Sequence, residues 1–307
     1  MKKSKTILFF GNERLATGVN TNMPVLNKLL SDGYNIAAII TAQKSPTPSR
    51  KPRLLEVAKF ATDNRIPLLE FVSLKSAVDQ LKQYNAVAGV LVAFGKIVPQ
   101  TIIDIFPRGI INLHPSLLPK HRGPTPIEST ILSGETDTGI SLMQLAAEMD
   151  AGPVFDQAKI KLKGNESKQQ LADRLGSIGA NRLSQKLPGI IEGILTPTKQ
   201  QSDNATYDQK INPSQSTLDF TEPAFLLERK IRAFANWPKS KTVLNNQPVI
   251  ITAAHIADKP EVIPGRLWHT KNEIGYETSK GILVIDRLVP AGSKEMSAAD
   301  YLLGHKL

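Results

Sequence analysis

Three continuous apolar runs in the amino-terminal part of the chain constrain its fold more than any other feature. They are Thr6–Phe10, Ile36–Thr41 and Ala86–Gly95. A strand that is apolar along its whole length must be covered on both faces, as in a parallel sheet flanked by helices. Apolar residues at helical spacing over Asn22–Ser31 supply the first crossover, which should be right-handed. The pattern predicts a doubly wound, Rossmann-like α/β domain.

A polar stretch at Thr196–Asn204 marks a change in character. Before it, we predict a strand over Val154–Leu162 and one or two helices over Ser167–Leu195. Residues that break or end helices should interrupt this helical region. They are Gly176, Gly179 and Pro188.

Beyond the polar stretch, a short amphipathic helix at Phe225–Phe234 precedes short apolar runs punctuated by Gly and Pro. This arrangement favours a small antiparallel β-barrel. The chain has 307 residues, which is long for one core, so two domains are expected. We predict a catalytic domain over residues 1–196, a linker over 197–206 and a C-terminal barrel domain over 207–307.

The composition is that of an ordinary globular protein, with 41% hydrophobic and 21% charged residues. No apolar run approaches the roughly 18 to 20 residues that a membrane span needs. We therefore expect a cytoplasmic protein without membrane contact, and we expect a monomer. Since the chain has no cysteine, disulfides, thiolate nucleophiles and cysteine-ligated zinc are excluded. The five histidines include no H-x-x-x-H pair, so we expect no metal site.

The net charge of +10 favours a polyanionic partner. Residues 1–200 hold 25 basic against 16 acidic residues, giving +9, whereas residues 201–307 hold 13 against 12, giving +1. The segment Lys44–Arg53 has four basic residues, three prolines and no acid. It is predicted to be an exposed basic loop, either a nucleic-acid contact or a solvated linker.

The central part of the chain carries the candidate chemistry. Asn112 and His114 lie two apart on a predicted strand, so their side chains leave it on the same face. Pro115 ends the strand because it cannot donate to a ladder, which places His114 at a strand-to-loop transition. Asp150 adds a carboxylate. A structural role stays open for all three polar residues, with His114 as a hydrogen-bonded core histidine and Asp150 opening a turn.

Two other enzyme classes fit these residues less well. The segment Gly11–Gly18 lacks the G-x-G-x-x-G spacing of dinucleotide-binding proteins, and no acid follows the second strand to hold a ribose. Ser116, His114 and Asp150 are the side chains of a hydrolase triad. However, Ser116 lies two residues from the histidine, and no G-x-S-x-G turn displays it.

Several short motifs in this region resemble one enzyme family. They are Asn112-Leu113-His114, Ser116-Leu117-Leu118-Pro119, Arg122-Gly123, Pro126-Ile127 and Asp150-Ala151-Gly152. In that order and spacing they are similar to the 10-formyltetrahydrofolate-dependent formyltransferases. From Ile7 to about Leu303, the chain resembles the members of that family that act on methionyl initiator tRNA.

The resemblance implies a transferase that moves the formyl group of 10-formyltetrahydrofolate to the α-amino group of methionyl initiator tRNA for translation initiation. Asn112 would donate to the developing oxyanion, His114 would act as general acid or base, and Asp150 would orient the imidazole. The implied folate contacts are Ser116, Leu117, Leu118, Pro119, Phe94 and Gly95. The candidate tRNA contacts are Arg50, Lys51, Arg53, Arg229, Lys230 and Arg232. The family's C-terminal domain is an OB-like barrel.

Some alternatives stay open at this point. Phe94, Leu117 and Leu118 could instead be plain core positions. The acceptor could instead be an amino-sugar nucleotide, glycinamide ribonucleotide, or water in a deformylase, because such relatives share the Asn, His and Asp. A non-catalytic RNA-binding protein is disfavoured because these three side chains are all present.

The chain also departs from the family pattern at positions that leave these side chains intact. They are Asn12-Glu13-Arg14, the proline-rich loop Ser45–Arg53, Pro115, Lys120-His121 and Pro124-Thr125.

Overall fold

The computed structural model describes residues 5–42 and 56–305. The chain forms two compact units that are not continuous in sequence. Unit 1 comprises residues up to Ile127 together with Asp137–Lys161 and Gln169–Gln209. Unit 2 comprises Glu128–Thr136, Leu162–Lys168 and the chain from Lys210 onward. The predicted basic-loop contacts Arg50, Lys51 and Arg53 lie outside the described residues.

Unit 1 is built on a seven-stranded sheet within the described ranges. Its strand order is β3-β2-β1-β4-β5-β6-β7, with the first five strands parallel and the last two antiparallel to their neighbours. The strands are β1 (Thr6–Gly11), β2 (Asn35–Ala42), β3 (Leu68–Phe71), β4 (Ala88–Val92), β5 (Ile110–His114), β6 (Asp137–Gln144) and β7 (Val154–Lys161). The order reverses between β1 and β4, which confirms the doubly wound prediction.

Six helices lie between or after these strands in the described sequence. They are α1 (Pro24–Ser31), α2 (Glu56–Asp63), α3 (Val78–Lys82), α4 (Gln100–Ile103), α5 (Pro126–Ser133) and α6 (Lys168–Glu192). Most of α5 belongs to unit 2. The predicted interruptions of the last helix are wrong, because α6 runs unbroken for 25 residues with Pro188 inside it. Gly179 is there for close packing, since a Cβ at that position would lie 2.3 Å from the Leu113 side chain of β5.

Unit 2 contains a six-stranded antiparallel sheet in the part of the chain that the structure describes. Its order is β10-β11-β12-β9-β8, with β13 paired to β12. The strands are β8 (Ser240–Leu244), β9 (Gln247–Ala257), β10 (Leu267–His269), β11 (Ile274–Glu277), β12 (Ile282–Pro290) and β13 (Met296–Ser297). The helices are α7 (Ala224–Ala233) and α8 (Ala298–Gly304). The predicted antiparallel β domain is confirmed as an open half-barrel.

No helix in the described ranges is long and apolar enough to cross a membrane.

Candidate active site at the carboxyl end of β5

The central strand β5 places Asn112 and His114 side by side in the interior. Asn112 pairs with Leu91 of β4 and with Met143 of β6, and His114 pairs with Ser141 of β6. Asn112 and His114 are each 5% exposed. The strand ends at His114, directly before Pro115, as the sequence indicates. The two polar groups therefore lie where parallel strands of an open α/β sheet end, which is where such sheets bind ligands.

Asp150 approaches the same histidine from a separate loop. Its Oδ1 lies 3.8 Å from Nδ1 of His114. Its Oδ2 accepts a hydrogen bond of 2.8 Å from the backbone N–H of Gly123. The backbone of Asp150 has φ 50°, a left-handed conformation that is uncommon for residues other than glycine. Asn112, His114 and Asp150, which were selected from the sequence, are thus brought together in unit 1.

The hydrogen bonding of His114 fixes which ring nitrogen carries a proton. Nε2 lies 2.9 Å from the backbone oxygen of His121. A carbonyl oxygen can only accept, so Nε2 must donate its N–H. In the neutral ring, Nδ1 is then the bare nitrogen, and it faces Asp150 across 3.8 Å. That separation is too long for a direct hydrogen bond, so it leaves Nδ1 available to exchange a proton.

The side-chain amide of Asn112 stands out because it has no hydrogen-bond partner, although the residue as a whole is only 5% exposed. Within the described residues the amide makes no hydrogen bond. Polar side chains in such places usually have a partner. The Asn112 N–H groups are thus available to a bound acceptor oxygen.

The loop Ser116–Pro119 is held by internal hydrogen bonds. The Ser116 hydroxyl donates to the backbone oxygen of Lys120 (2.7 Å), and Ser141 Oγ donates to the oxygen of Ser116 (2.7 Å). Leu118 donates its N–H to Ser141 Oγ (3.0 Å) and accepts from Gln157 Nε2 (2.8 Å). Ser116 is fully buried, and its hydroxyl donates to a backbone carbonyl instead of to His114, so this geometry does not make it a nucleophile.

The loop residues also differ in exposure. Leu118 is 5% exposed, whereas Leu117 is half-buried and keeps part of its apolar surface accessible. Both backbone groups of Leu118 already have partners within unit 1. Pro119 is half-buried as well, so Leu117 and Pro119 provide the accessible apolar surface of this loop.

After β4 the chain turns sharply at Ala93 and Gly95, which have φ 52° and φ 74°. The Phe94 ring packs edge-on against Phe10 at 5.8 Å, so its side chain belongs to the core. Gly95 is exposed, and a Cβ there would meet nothing within 4 Å. The backbone N–H groups of Phe94 and Gly95 have no partner among the described residues. The turn therefore offers backbone donors next to open space.

The candidate tRNA contacts in unit 2 all have intramolecular partners. Arg232 makes two hydrogen bonds to the Glu228 carboxylate, of 2.6 and 2.8 Å. Lys230 donates to the oxygen of Thr217 (3.3 Å) and lies 3.8 Å from a carboxylate oxygen of Glu222. Arg229 donates to the oxygen of Ser133 (3.2 Å) and lies over the Phe225 ring at 5.2 Å. A carbonyl and a ring leave its charge unneutralised.

A second polar cluster beside the site was not found by sequence reasoning. The guanidinium of Arg122, which is 1% exposed, donates to Gln200 Oε1 and to the Tyr207 hydroxyl. In the sequence, Arg122 belongs to a family-like motif and Gln200 to a polar stretch, and neither pattern indicates a contact between them. The two lie 78 positions apart. No local periodicity relates them, so the pairing has no signal in a single sequence.

One departure from the family pattern has a clear structural role. Glu13 is 4% exposed and accepts the backbone N–H groups of Val25 and Leu26, both at 2.8 Å. These N–H groups belong to the first turn of α1, whose N-cap residue Met23 has no side-chain acceptor. Glu13 therefore caps the helix from a distance. Burial raises the pKa of Glu13 to about 7, although the two N–H groups act in the opposite direction.

In the described ranges, no group of three or more His, Asp or Glu side chains has the arrangement of a metal site.

Comparison with known proteins relates both parts of the chain to formyl transferases. Residues 15–187 match the family described as formyl transferase, and residues 210–306 match the formyl transferase C-terminal domain. A methionyl-tRNA formyltransferase of Roseiflexus castenholzii is 32% identical, over 99% of this chain and 97% of that protein. One of Halorhodospira halophila is 36% identical, over 93% of each.

Solved structures show the same fold. The N-formyltransferase of Helicobacter canadensis, in complex with folinic acid and dTDP-3-aminofucose, superposes with a TM-score of 0.67 at 19% identity. The match covers 95% of this chain and 100% of that protein.

Proposed function

Because the chain belongs to the methionyl-tRNA formyltransferase family, we propose that Asn112, His114 and Asp150 are the residues with which it formylates methionyl initiator tRNA. The chain is an enzyme, a one-carbon group transferase. One observation carries the assignment of residues. His114 donates Nε2–H to a backbone carbonyl, so that its other nitrogen faces Asp150.

The reaction joins the α-amino nitrogen of the methionyl group to the formyl carbon and breaks the bond between that carbon and the folate nitrogen. One proton leaves the amine, and one is gained by the folate nitrogen. Bound 10-formyltetrahydrofolate supplies the formyl carbon. An α-amino group titrates at about 7.7 to 8.0, so little assistance is needed to make it nucleophilic near neutral pH. The protein must stabilise the oxyanion and transfer one proton.

Asn112 provides the oxyanion donor in this proposal. Its amide is unpartnered among the described residues, so it need not break an existing hydrogen bond between protein groups to bind the developing charge. A preorganised donor of this kind is worth about 3 kcal/mol in transition-state stabilisation.

His114 moves the proton through Nδ1. An imidazole is suited to this task because it gains and loses protons near neutral pH. Asp150 stabilises the charged ring that forms when Nδ1 takes a proton, since its carboxylate lies 3.8 Å away. The Nε2 hydrogen bond to His121 O keeps the ring in one orientation throughout.

The residues next to Asn112 fit a planar cosubstrate rich in donors and acceptors. The N–H groups of Phe94 and Gly95 are unpartnered within the described ranges, and Gly95 borders open space. We assign folate contact to these backbone groups and to the apolar surface of Leu117. Half-buried Pro119 adds to that surface, and Ser116 and Leu118 support it, since both are buried and hydrogen-bonded within the loop.

We assign tRNA contact to the basic residues Arg50, Lys51 and Arg53 and, in unit 2, to Arg229, whose described partners are a carbonyl and a ring. Lys230 and Arg232 already face the carboxylates of Glu222 and Glu228, so we expect less from them. The excess of positive charge in residues 1–200 supports the first group. Such contacts position the aminoacyl end without reading sequence. Replacing the first three together by Ala should lower the salt slope of tRNA binding by about 2 to 3 units, if each reaches a phosphate. An unchanged slope would remove this loop from the proposal.

The test of the function is an acceptor panel. Purified protein is incubated with 10-formyltetrahydrofolate and one of four acceptors: methionyl initiator tRNA, an amino-sugar nucleotide, glycinamide ribonucleotide, or water alone. We expect formyl-methionyl-tRNA to form fastest. If kcat/KM is higher for the sugar nucleotide or the ribonucleotide, that compound is the acceptor instead. If hydrolysis is faster than every transfer, the acceptor is water. No transfer to any acceptor, where a known enzyme is active, would end the proposal.

A further inference from the structure

The short segment Thr206–Asp208 runs beside the loop that follows β5. The backbone of Arg122 donates to Thr206 O (2.9 Å) and accepts from the N–H of Asp208 (2.7 Å). The His121 N–H donates to Thr206 Oγ1 (2.8 Å). His121 supplies the carbonyl that holds His114, and the next residue but one, Gly123, supplies the N–H that holds Asp150. The later segment therefore supports the backbone groups that orient both side chains.

Arg122 is buried against neutral partners. Its Nε and Nη2 donate to Gln200 Oε1 at 3.2 and 2.9 Å, and its Nη1 donates to the Tyr207 hydroxyl at 2.7 Å. The carboxylate of Glu148 lies 3.8 Å from Nη1, but that side chain is 72% exposed. A buried charge is costly unless its donors are satisfied, so this guanidinium strongly constrains the position of Gln200.

Gln200 passes that constraint to the Asp150 loop. Its amide nitrogen donates to the backbone oxygen of Asp150 (2.8 Å) and to that of Gly152 (2.7 Å). The oxygen of the Gln200 amide accepts from Arg122, and both of its N–H groups donate to the loop. The loop residue Asp150 has a left-handed backbone, which costs about 1 to 2 kcal/mol for a residue with a Cβ and persists only when its surroundings hold it.

From this geometry we infer that Gln200, fixed by Arg122, is a positioning residue for Asp150. The carboxylate of Asp150 accepts from the N–H of Gly123, the residue after Arg122. Its backbone carbonyl accepts from Gln200, which is itself bound to Arg122. The inference rests on the catalytic role proposed above for His114 and Asp150. Under this inference, a residue of the predicted linker 197–206 takes part in catalysis.

An isosteric substitution tests this directly. In the Gln200→Glu variant, one carboxylate oxygen still accepts from Arg122, but the other faces the two carbonyls of the loop and cannot donate to them. Asp150 should move relative to Nδ1 of His114. A misplacement of about 1 Å at such a site costs on the order of 10²-fold in rate, so we expect kcat to fall by about that factor, with KM for both substrates unchanged.

The matched control makes the same change one position away. Gln201 is exposed, and its only described side-chain hydrogen bond is a long one of 3.5 Å from Asn204. Gln201→Glu should keep wild-type kcat and KM. If Gln200→Glu does not fold, as judged by thermal unfolding, Gln200→Met removes the same two donors without adding a charge and takes its place.

The second readout is the ¹⁵N NMR signature of the His114 ring, measured at one pH in the full chain without substrates. We expect the Nδ1 signal to shift in the Gln200 variant and to stay at its wild-type position in Gln201→Glu. A wild-type kcat in the Gln200 variant would overturn the inference. So would a fall in kcat with an unchanged ring signal, because the loss would then arise elsewhere. If wild-type protein formylates no acceptor but the signal still shifts, the positioning stands and only the proposed function fails.

Discussion

Two buried charged residues of unit 1 have neutral partners, whereas two of unit 2 lie beside opposite charges. In unit 1, the described partners of Glu13 are backbone N–H groups, and those of Arg122 are mainly the neutral groups of Gln200 and Tyr207. In unit 2, Glu277 accepts from Arg266 and Lys259, and the fully buried Lys168 lies 3.7 Å from Glu128.

The contrast extends to the candidate functional groups. Asn112 in unit 1 is buried without a described partner, whereas Arg232 in unit 2 is bound to a carboxylate by two hydrogen bonds. Closely paired charges stabilise a fold and leave little for a ligand. A group kept without a partner retains its interaction for a substrate. The comparison supports the proposal that the chemistry takes place in unit 1, and it separates basic residues that already face a carboxylate from those that do not.

The largest effect should come from removing the proton-transfer group of unit 1. We expect His114→Ala to lower kcat by about 10² to 10⁴-fold, since a positioned acid or base contributes that much. Binding of tRNA should not change. The control is His255→Ala in unit 2, a half-exposed histidine paired with Asp286 at 2.7 Å, which should retain full activity. Equal activities of the two variants would make His114 structural.

Removing the unpartnered amide is expected to have the next largest effect. Asn112→Ala should lower kcat by about 10² to 10³-fold, the cost of losing one oxyanion donor. Because the wild-type amide makes no described hydrogen bond, thermal stability should be unchanged or higher. Steady-state kinetics and a melting curve on the same sample check both statements. A destabilised variant with normal kcat would show that Asn112 serves the fold instead.

The two buried glutamates should give opposite dependences of stability on pH. Burial raises the pKa of Glu13 from 4.5 to about 7, so its stabilising contribution is complete below pH 4.5 and is lost as the pH rises towards 7. Relative to wild type, Glu13→Gln should gain up to about 3 kcal/mol in unfolding free energy over that interval. Urea titrations at several pH values measure it. A constant difference between variant and wild type would contradict the assignment.

Glu277 is the matched comparison in unit 2. Hydrogen bonds from Arg266 and Lys259 hold the pKa of Glu277 down at about 2, from an ordinary value of 4.5. Its contribution is therefore present above pH 4.5 and is lost as the pH falls towards 2. Glu277→Gln should be destabilising at neutral pH, with a deficit that shrinks on acidification, the reverse of the Glu13 variant.

The smallest effects should separate neighbours within the basic cluster. Arg229→Ala should lower the salt slope of tRNA binding by about 1 unit if its guanidinium, whose described partners are a carbonyl and a ring, reaches a phosphate. Arg232→Ala should leave the slope almost unchanged, because Glu228 already neutralises that charge. A larger change for Arg232 than for Arg229 would mean that internal pairing does not decide which residue binds RNA.

Sequence reasoning succeeded where a single local pattern carries the information. Continuous apolar runs gave β1, β2 and β4, because strands buried on both faces tolerate little else. The pair Asn112 and His114 followed from the alternation of a strand ended by proline. In contrast, β8 was missed because its buried residues include Ser240 and Thr242 while Val243 is exposed, which inverts the expected pattern.

Other features depend on contacts that no local pattern encodes. The glycines of α6 were predicted to interrupt the helix. Gly179 instead allows Leu113 to pack closely against the helix. The cap of α1 by Glu13 joins residues more than ten positions apart, and the Arg122–Gln200 pair joins two distant segments. Such pairings are decided by the tertiary fold, so a single amino-acid sequence cannot indicate them.

The central claim is that His114 keeps its Nε2 proton on a backbone carbonyl and exchanges a proton through Nδ1. Two-bond ¹H–¹⁵N correlation spectra of the ring in wild-type protein, assigned with His114→Ala, test it most directly. In the neutral ring, Nε2 should carry the proton and Nδ1 should show the shift of a bare nitrogen. A neutral ring with the proton on Nδ1 and a bare Nε2 would contradict the account.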